Sequence, residues 1–291
     1  MARCLVTGHM GYIGSKVFAE LVELGHEVRG IDLKQEIVGD VCKHLKVEYY
    51  RDFKPEYIFH LAAIPRVPYS MEFPEEVLEN NILSTIRILE YARKSGTKRV
   101  IYSSSSSVVG NGKGPTSPYG ASKLAPEILC KNYSEVYGLD TVSLRYFNVY
   151  SEDQTVDGPY ATAIANYMHC IREGGKPYIT GDGTQARDML HVSDAVSANI
   201  FCMGYGRDLD GEWYDVGTGS NITLNEIKKI VKNYYPRTIF DRRPERVGDV
   251  METKANTAPL KKIGWQAKVN IKTGINNCFR PGASFKQKEE L

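Results

Sequence analysis

TGHMGYIG, residues Thr7–Gly14, is the stretch that decides which fold this chain is expected to adopt. Its Gly8, Gly11 and Gly14 stand at the junction of a short apolar run and a helical pattern. Glycines at such a junction allow a tight turn and let the backbone approach a pyrophosphate, which then faces a helix N-terminus. An acidic residue, Asp32, ends the next predicted strand, and this context makes the glycine triplet a specific signal for a dinucleotide. Asp32 is expected to bind the ribose diol and to repel a 2′-phosphate, so NAD is favoured over NADP.

Around this turn, strand and helix patterns alternate through the first half of the chain. Five short apolar runs are predicted as strands: Cys4–Val6, His26–Ile31, Tyr57–Leu61, Arg99–Tyr102 and Thr141–Leu144. Helical periodicity occupies three of the intervals between them, at about Tyr12–Leu24, Pro74–Ser95 and Pro118–Tyr137. The alternation predicts an α/β fold with a doubly wound parallel sheet, the Rossmann fold.

The second half of the chain is less regular and predicts a smaller, C-terminal substrate domain. Its expected elements are the helices Ala161–Arg172, His191–Gly204 and Leu224–Tyr234 and the strand Trp213–Val216. Thr223 and Glu226 form a capping box at the start of the last of these helices. We therefore predict an NAD-binding domain over residues 1–150 and a mainly substrate-binding domain over residues 151–291, with about 188–218 returning to the first.

Tyr119 and Lys123 stand four residues apart at the start of a predicted helix, after the serine run Ser103–Ser107. The spacing puts both side chains on one face of the helix. A lysine beside a tyrosine stabilises the phenolate by Coulomb attraction, and a nearby NAD⁺ adds to the effect. The phenol, whose ordinary pKa is about 10, is then expected to act as a base near neutral pH. The serine run follows a strand, and strand ends are where an α/β sheet places its catalytic groups.

Composition excludes several other classes of protein. The 291 residues carry a formal net charge of +2 and no long basic run, so nucleic acid is not an expected partner. No uncharged apolar stretch reaches about 18 residues, so no membrane span is expected. The N-terminal MARCLVTG is typical of a strand rather than of a signal peptide, and a cytoplasmic location is expected. No metal site is predicted, because no CxxC pair occurs among Cys4, Cys42, Cys130, Cys170, Cys202 and Cys278.

Eight short motifs are spread from about Cys4 to Trp265. They are TGHMGYIG (Thr7–Gly14), FHLAA (Phe59–Ala63), SSSSSVVG (Ser103–Gly110), SPYGASK (Ser117–Lys123), RYFNVY (Arg145–Tyr150), GDGTQARDMLHVSDA (Gly181–Ala195), YDVGTG (Tyr214–Gly219) and ERVGDV (Glu245–Val250). Together they resemble the extended short-chain dehydrogenase/reductases, in particular the NAD-dependent epimerase/dehydratase family and its UDP-hexose 4-epimerases. The resemblance implies bound NAD and a nucleotide-diphosphate sugar as substrate. The helices Pro74–Ser95 and Pro118–Tyr137 resemble the pair that forms a four-helix dimer interface in this family, so a homodimer is expected.

The resemblance also implies roles for individual residues. Ser105 is implied to be catalytic, with Tyr119 as the base and Lys123 as its helper. The residues implied for the cofactor site, besides the three glycines, Asp32, Tyr119 and Lys123, are Tyr12, Ile13, Asp40, Val41, Leu61, Ala62, Ala63 and Asn81. Of these, Asp40 and Val41 would lie against the adenine. The residues implied for the substrate site are Ser105, Asn148, Arg187, Arg246, Asp249 and Thr253, where Arg187, Arg246 and Asp249 hold the diphosphate and ribose and Thr253 lies beside the sugar C2 substituent.

Three departures from the family pattern are visible. Val109 stands where a tyrosine is usual, so one aromatic wall is absent. Only seven residues separate Asp32 from Asp40, whereas a parallel crossover needs a dozen or more, so the usual second helix is expected to be absent or replaced. NVYSEDQ, Asn148–Gln154, stands where many members have NVYGPRQ.

Ser106 and Ser107 help to choose among the reactions of the family. Dehydratases resemble each other in carrying an Asp-Glu pair directly after the catalytic Ser or Thr, and a serine cannot serve as a carboxylic acid. The expected reaction is therefore epimerisation at C4 through a 4-keto sugar. Its expected substrate is a UDP-hexose or, because Thr253 is small, a UDP-N-acetylhexosamine, although the nucleotide base stays open. A 4,6-dehydratase or reductase remains an alternative, as does a dinucleotide-binding regulator without turnover.

Overall fold

A computed structural model of the chain describes residues 1–34, 41, 52–110, 112–154, 156, 162–245 and 250–282. The described strands are β1 (Arg3–Thr7), β2 (Glu27–Ile31), β3 (Tyr57–His60), β4 (Arg99–Ser105), β5 (Asp140–Tyr146), β6 (Tyr178–Thr180), β7 (Ala186–Arg187), β8 (Trp213–Val216), β9 (Ile222–Thr223), β10 (Asp241–Arg243) and β11 (Glu252–Thr253). Six of them form a central sheet in the order β2-β1-β3-β4-β5-β8, and every pairing in it is parallel. This sheet confirms the predicted α/β fold with a parallel Rossmann sheet.

The order of the strands reverses between β1 and β3. From β1 the chain goes to β2 on one side, and it returns to β3 on the other side before continuing to β4 and β5. Ligands bind to open α/β sheets outside the carboxyl ends of the strands at such a reversal. The sheet topology therefore locates the candidate site before any side chain is considered.

The strands β4 and β5 run further than the sequence pattern predicted. They end at Ser105 and Tyr146, which face each other in register, whereas the predicted strands ended at Tyr102 and Leu144. Serine is a poor strand former on average. Because β4 lies in the middle of the sheet, however, the backbone of the serine run pairs with β5. The first half of the serine run is therefore strand, and only its end turns into the short 3-10 helix Ser106–Val108.

Helices cover both faces of the sheet. The described α-helices are α1 (Tyr12–Glu23), α2 (Val67–Glu72), α3 (Pro74–Ser95), α4 (Pro118–Tyr137), α5 (Ala163–Arg172), α6 (Val192–Gly204), α7 (Leu224–Tyr234), α8 (Ala258–Ile263) and α9 (Ile271–Phe279). On one face, α1 and α6 pack in a buried cluster that includes Val6; on the other, α3 and α4 pack in a cluster that includes Leu5. Successive residues of β1 thus point to opposite covered faces, as expected for a parallel sheet buried on both sides.

The long helices begin and end close to the predicted positions. α3 and α4 have the predicted bounds, and each ends at a left-handed glycine, Gly96 or Gly138. The capping box of Thr223 and Glu226 is present at the start of α7. The short helix α2 was not predicted from the sequence. Along the part of the chain that the structure describes, no helix combines the length and apolar character that crossing a membrane requires.

A third buried cluster joins α5, α7 and α9 in the second half of the chain. Two small sheets accompany it: β6 pairs with β10, while β7 lies between β9 and β11. The strand β8 returns to the central sheet beside β5, and α6 packs on α1. The predicted division into two domains at about residue 150 stays a prediction.

Candidate active site

A cleft of about 570 Å³ opens at the carboxyl ends of the central strands. Gly8 after β1, Leu61 after β3, Ser105 at the end of β4 and Asn148 after β5 all line it. Ser105 and Asn148 come from motifs that are far away from the glycine turn in the sequence. The fold therefore brings the predicted cofactor, catalytic and substrate motifs to one cleft.

The glycine turn leaves no room for side chains at two positions. Gly8 has a φ of 71°, and a Cβ added there would lie 2.8 Å from the backbone nitrogen of Ala62. A Cβ at Gly14 would lie 2.0 Å from the carbonyl oxygen of Gly8. Helix α1 begins directly after Gly11, which offers no side-chain cap to the free N–H groups of its first turn. Gly8, Gly11, Tyr12, Ile13 and Gly14 all line the cleft, so these N–H groups stand where a pyrophosphate can accept from them.

Asp32 is held at the end of β2 by two backbone donors. Its Oδ2 accepts from the N–H of Met10 at 2.9 Å, and its Oδ1 accepts from the N–H of Lys34 at 3.0 Å. The first bond ties the carboxylate to the glycine turn, which is the placement that recognition of an adenosine ribose requires. Glycine turn, helix start and carboxylate together fit a dinucleotide.

The loop after β3 forms the opposite wall. Leu61 and Ala63 line the cleft, while the N–H of Ala62 donates to Thr7 Oγ1 at 3.1 Å. Asn81 is buried and is absent from the lining residues. Its amide accepts from the N–H of Ile64 at 2.7 Å and donates to the Ile64 carbonyl at 3.1 Å. Asn81 thus positions the wall, and its predicted contact with the dinucleotide stays a prediction.

Val41, one of the two residues predicted to lie against adenine, is placed less favourably for that contact. The Val41 side chain lies in the buried cluster with Ile31 and Phe53, so only its backbone is available to a ligand. Asp40 lies outside the described residues.

Ser105 and Tyr119 meet inside the cleft. Ser105 ends β4, and its hydroxyl accepts from the N–H of Ser107 at 3.2 Å. Tyr119 is the second residue of α4, and burial raises the pKa of its phenol above the ordinary value. A hydrogen bond with Ser105 and the charge of Arg66 act in the opposite direction and lower the pKa of Tyr119. The predicted base and the predicted catalytic serine therefore line one cleft, and the serine acts on the pKa of the phenol.

Lys123 lies one turn along α4 from Tyr119. Its Nζ donates to the carbonyl of Ser103 at 2.9 Å, and burial lowers its pKa to about 8. Lys123 is the residue predicted from the sequence to stabilise the phenolate by its charge. In the structure the charge of Arg66 lowers the pKa of Tyr119, while the Lys123 ammonium donates to the backbone of β4, so the action of Lys123 on the phenolate stays a prediction. Arg66 was not among the predicted site residues, although this arginine closely follows the FHLAA motif in the stretch HLAAIPR.

A buried ion pair supports this part of the site. The carboxylate of Glu127, one turn after Lys123, accepts from Arg145 Nε at 2.9 Å and Nη2 at 2.6 Å. It also accepts from the hydroxyl of Ser104, which lies beside Ser105 in β4. Glu127 raises the pKa of Lys123 and so opposes the effect of burial. The pair links α4, β4 and β5 directly behind the catalytic residues.

Asn148 and Arg187 also line the cleft. Asn148 adopts a φ of 38°, which is uncommon for a residue with a side chain. Its Nδ2 donates to the Asp188 carbonyl at 2.7 Å and to Thr253 Oγ1 at 3.3 Å. Arg187 pairs with Thr253 across β7 and β11. The structure thus brings three of the predicted substrate residues together.

Thr253 itself lies in a neighbouring cavity. That cavity is about 460 Å³, and Val109 and Ser106 also line it; Ser106 lines the main cleft as well. The predicted contact of Thr253 with a sugar stays a prediction, because Thr253 is not among the described residues that line the main cleft. Arg246 and Asp249 lie outside the described residues.

Comparison with known proteins identifies the family to which the chain belongs. Residues 4–217 match the model of the NAD dependent epimerase/dehydratase family. The chain is 31% identical to the UDP-glucose 4-epimerase of Mycolicibacterium smegmatis over 94% of this chain and 96% of the relative. The structure of UDP-glucose 4-epimerase from Thermotoga maritima with UDP-glucose is similar, with 30% identity, 94% and 96% of the two chains covered and a TM-score of 0.87. UDP-glucose 4-epimerase from Thermus thermophilus in complex with NAD has 29% identity, 96% and 99% coverage and a TM-score of 0.83. Since the family match spans well over half of the sequence, the chain belongs to the NAD-dependent epimerase/dehydratase family.

Proposed function

We propose that the protein epimerises a nucleotide-diphosphate sugar at C4 through a 4-keto intermediate, with NAD as its cofactor. The observation that carries the proposal is that Ser105 and Tyr119 line one cleft, where Ser105 lowers the pKa of the phenol, and that no Asp or Glu occurs among its described lining residues. A dehydratase needs an acid to protonate the departing hydroxyl, whereas serines stand at 106 and 107, directly after Ser105. Oxidation and reduction at a single carbon need only the base that is present.

The residues of this chain move one proton in each direction. Tyr119, as phenolate, takes the proton of the C4 hydroxyl, and Ser105 holds the C4 oxygen and the phenol oxygen in hydrogen-bonding distance. NAD, when bound, supplies a site that accepts the C4 hydride and returns it. After the flat 4-keto sugar has turned over, Tyr119 gives the same proton back to the C4 oxygen, and the configuration is inverted.

The anchor for the substrate is proposed at Arg187. Arg187 lines the cleft, and its guanidinium matches the geometry of a diphosphate. Arg246 and Asp249 are proposed to contribute as well. UDP is the proposed nucleotide because the relatives compared above act on UDP-glucose, and Thr253 leaves room for an N-acetyl group.

Product analysis tests the proposed reaction. The purified protein is incubated with catalytic NAD and with UDP-glucose, UDP-N-acetylglucosamine or dTDP-glucose. We expect C4 epimers and no net formation of NADH. A 4-keto-6-deoxy sugar would identify a dehydratase instead, and the absence of any product with every nucleotide sugar tested, neutral or acidic, would indicate a dinucleotide-binding protein without turnover.

Asp32→Ala is expected to weaken NAD binding by about 10- to 100-fold, the worth of hydrogen bonds to a charged group. The substitution removes the acceptor for the ribose diol and also the acceptor for the N–H of Met10, which lies 2.9 Å from the Asp32 carboxylate. Calorimetric titration with NAD measures the change. Glu27→Ala, at the exposed opposite end of the same strand, is the matched control and should bind like the wild type. A wild-type preference for NADP would contradict the role of Asp32.

Ser105→Ala is expected to shift the rising limb of the kcat/KM–pH profile to higher pH. The phenolate of Tyr119 is the active base, and the hydrogen bond from Ser105 lowers the pKa of that phenol. Without the bond the pKa rises, so a smaller fraction of the enzyme carries the base at neutral pH. A profile of reduced height but unchanged midpoint would show that Ser105 acts on the substrate alone.

We propose further that the active form is a cytoplasmic homodimer. Helix α4 exposes Ile128, Val136 and Tyr137 by 62%, 59% and 52%, on the side of the molecule where it packs against α3. Such apolar side chains on a long helix that packs beside a second long helix suit a four-helix interface with a second copy. Light scattering should give the mass of two chains.

A further inference from the structure

Arg66 has the most unusual backbone among the described residues of the cleft wall. It caps the start of α2 with φ 95° and ψ 115°, a conformation that residues with a side chain rarely adopt. Such conformations cost free energy and persist where surrounding contacts impose them, and they cluster at functional sites. A strained arginine at the rim of a candidate active site therefore calls for a functional explanation.

Ser70 imposes the position of Arg66 relative to the base. The N–H of Ser70 donates to the carbonyl of Arg66 at 3.2 Å, and its hydroxyl donates to the carbonyl of Val67 at 2.7 Å. The same hydroxyl accepts from the N–H of Tyr119 at 3.0 Å. Ser70 is fully buried, so one hydroxyl group joins the turn that carries Arg66 to the helix turn that carries the base.

The guanidinium of Arg66 faces the cleft and has no partner among the described residues. Arg66 is half-buried and lines the cleft, and its side chain makes no hydrogen bond or ion pair with any residue that the structure describes. The other cations of the lining differ in this respect: Lys123 donates to the Ser103 carbonyl and Arg187 donates to the Ala186 carbonyl. A half-buried guanidinium with five free donors is suited to an anionic ligand.

The location of this charge selects a part of the substrate. Arg66 acts electrostatically on the phenol of Tyr119, so it lies on the side of the cleft where C4 of the sugar must react. In a pyranose the diphosphate is attached to C1, across the ring from C4, whereas C6 is attached to the neighbouring C5. A cation beside the base therefore meets the C6 group and not the diphosphate.

We propose that Arg66 is a specificity-determining residue that binds the C6 carboxylate of a nucleotide-diphosphate hexuronic acid. The inference rests on the proposed C4 epimerisation and names a narrower substrate class for it. Arginine pairs with carboxylate through two parallel N–H···O bonds, which fix the ring as well as attract it. No described lining residue carries a carboxylate that would repel the uronate.

The quantity that tests the proposal is the ratio of kcat/KM for UDP-glucuronate to kcat/KM for UDP-glucose. In the wild type we expect a ratio above about 10, since a charge-assisted contact contributes this much or more. Arg66→Gln should lower the ratio by about 10- to 100-fold. A common loss on both sugars, through the effect of Arg66 on Tyr119, cancels in the ratio.

Three variants separate recognition from other effects. Arg66→Gly removes the guanidinium and relieves the backbone, so it should lose the same ratio while unfolding at no lower temperature than the wild type. Arg66→Lys keeps the positive charge but loses the planar guanidinium that can make two parallel hydrogen bonds, so it should give an intermediate ratio. Arg187→Gln, at the proposed diphosphate anchor, should weaken both substrates and leave the ratio within about threefold, because both sugars carry the same diphosphate.

The outcomes distinguish the role proposed for Arg66 from the proposed C4 epimerisation on which it rests. If the wild type converts UDP-glucose and Arg66→Gln leaves the ratio unchanged, Arg66 does not read the uronate, although C4 epimerisation stands. An equal loss on both sugars with weaker NAD binding would assign Arg66 to the cofactor and overturn the proposal. If the wild type converts no sugar nucleotide, C4 epimerisation is wrong, and the same ratio taken from dissociation constants then decides on Arg66 alone.

Discussion

Tyr119→Phe is expected to lower kcat by about 10²–10⁴-fold, the usual contribution of a positioned acid–base group. The substitution removes only the phenolic oxygen, which bonds to Ser105, and leaves the ring that lines the cleft. Because the backbone contact with Ser70 is unchanged, the fold and NAD binding should persist. Single-turnover formation of NADH and steady-state epimerisation both measure the loss.

The matched control for this variant is Tyr133→Phe. Tyr133 lies on the same helix, α4, and its hydroxyl donates to Glu90 at 3.0 Å away from the cleft. It should epimerise at a rate within about twofold of the wild type, as surface substitutions rarely exceed about 0.5 kcal/mol. Activity of Tyr119→Phe within tenfold of the wild type would assign the base to another residue.

Glu127→Ala should lower the free energy of unfolding by about 3–5 kcal/mol, because it leaves the buried guanidinium of Arg145 without its counter-charge. Glu127 and Arg145 expose only 4% and 11% of their side chains, so water cannot replace the lost carboxylate. The hydroxyl of Ser104 loses its acceptor at the same time. Denaturant titration with and without NAD gives the change.

Two further variants show whether the loss comes from the unpaired charge. Glu135→Ala, on the same helix but exposed and 3.8 Å from Lys131, should change the free energy of unfolding by about 0.5 kcal/mol or less. Removing both charges with Glu127→Leu and Arg145→Met should recover a large part of the stability, because an apolar pair of similar volume has no charge to desolvate. If the double variant is no more stable than Glu127→Ala, packing rather than charge explains the loss.

The fold could be predicted from the sequence because its strands are short apolar runs with clear ends. β1, β2, β3 and β8 lie within one or two residues of the predicted positions. The extension of β4 through the serine run could not be predicted, since it depends on pairing with β5 and not on the serines themselves. Local pattern therefore located the elements, whereas the ends of the central strands were set by their neighbours.

The candidate site was predictable in its residues and less so in their interactions. The glycine turn, Ser105, Tyr119 and Lys123 share one cleft as predicted. The effect of Arg66 on the base was not predictable, because it depends on the contact between the starts of α2 and α4 through Ser70. Sequence spacing shows which groups share one helix, but a pKa also depends on burial and on charges from other elements.

The pairing of β8 with β5 has a consequence for how the chain is made. Residues 147–212 lie between these adjacent strands in the sequence. Much of the substrate side of the cleft is therefore one long connection that leaves the central sheet after β5 and returns to it at β8. At about 5–20 residues per second, a ribosome needs about 3–13 s to deliver β8 after β5. During that time β5 has an unpaired edge, and the nascent polypeptide is open to intermolecular strand addition. When β8 pairs with β5, this edge is closed and residues 147–212 are attached to the central sheet at both ends. Two attachments restrict the motion of the segment more than a single hinge would.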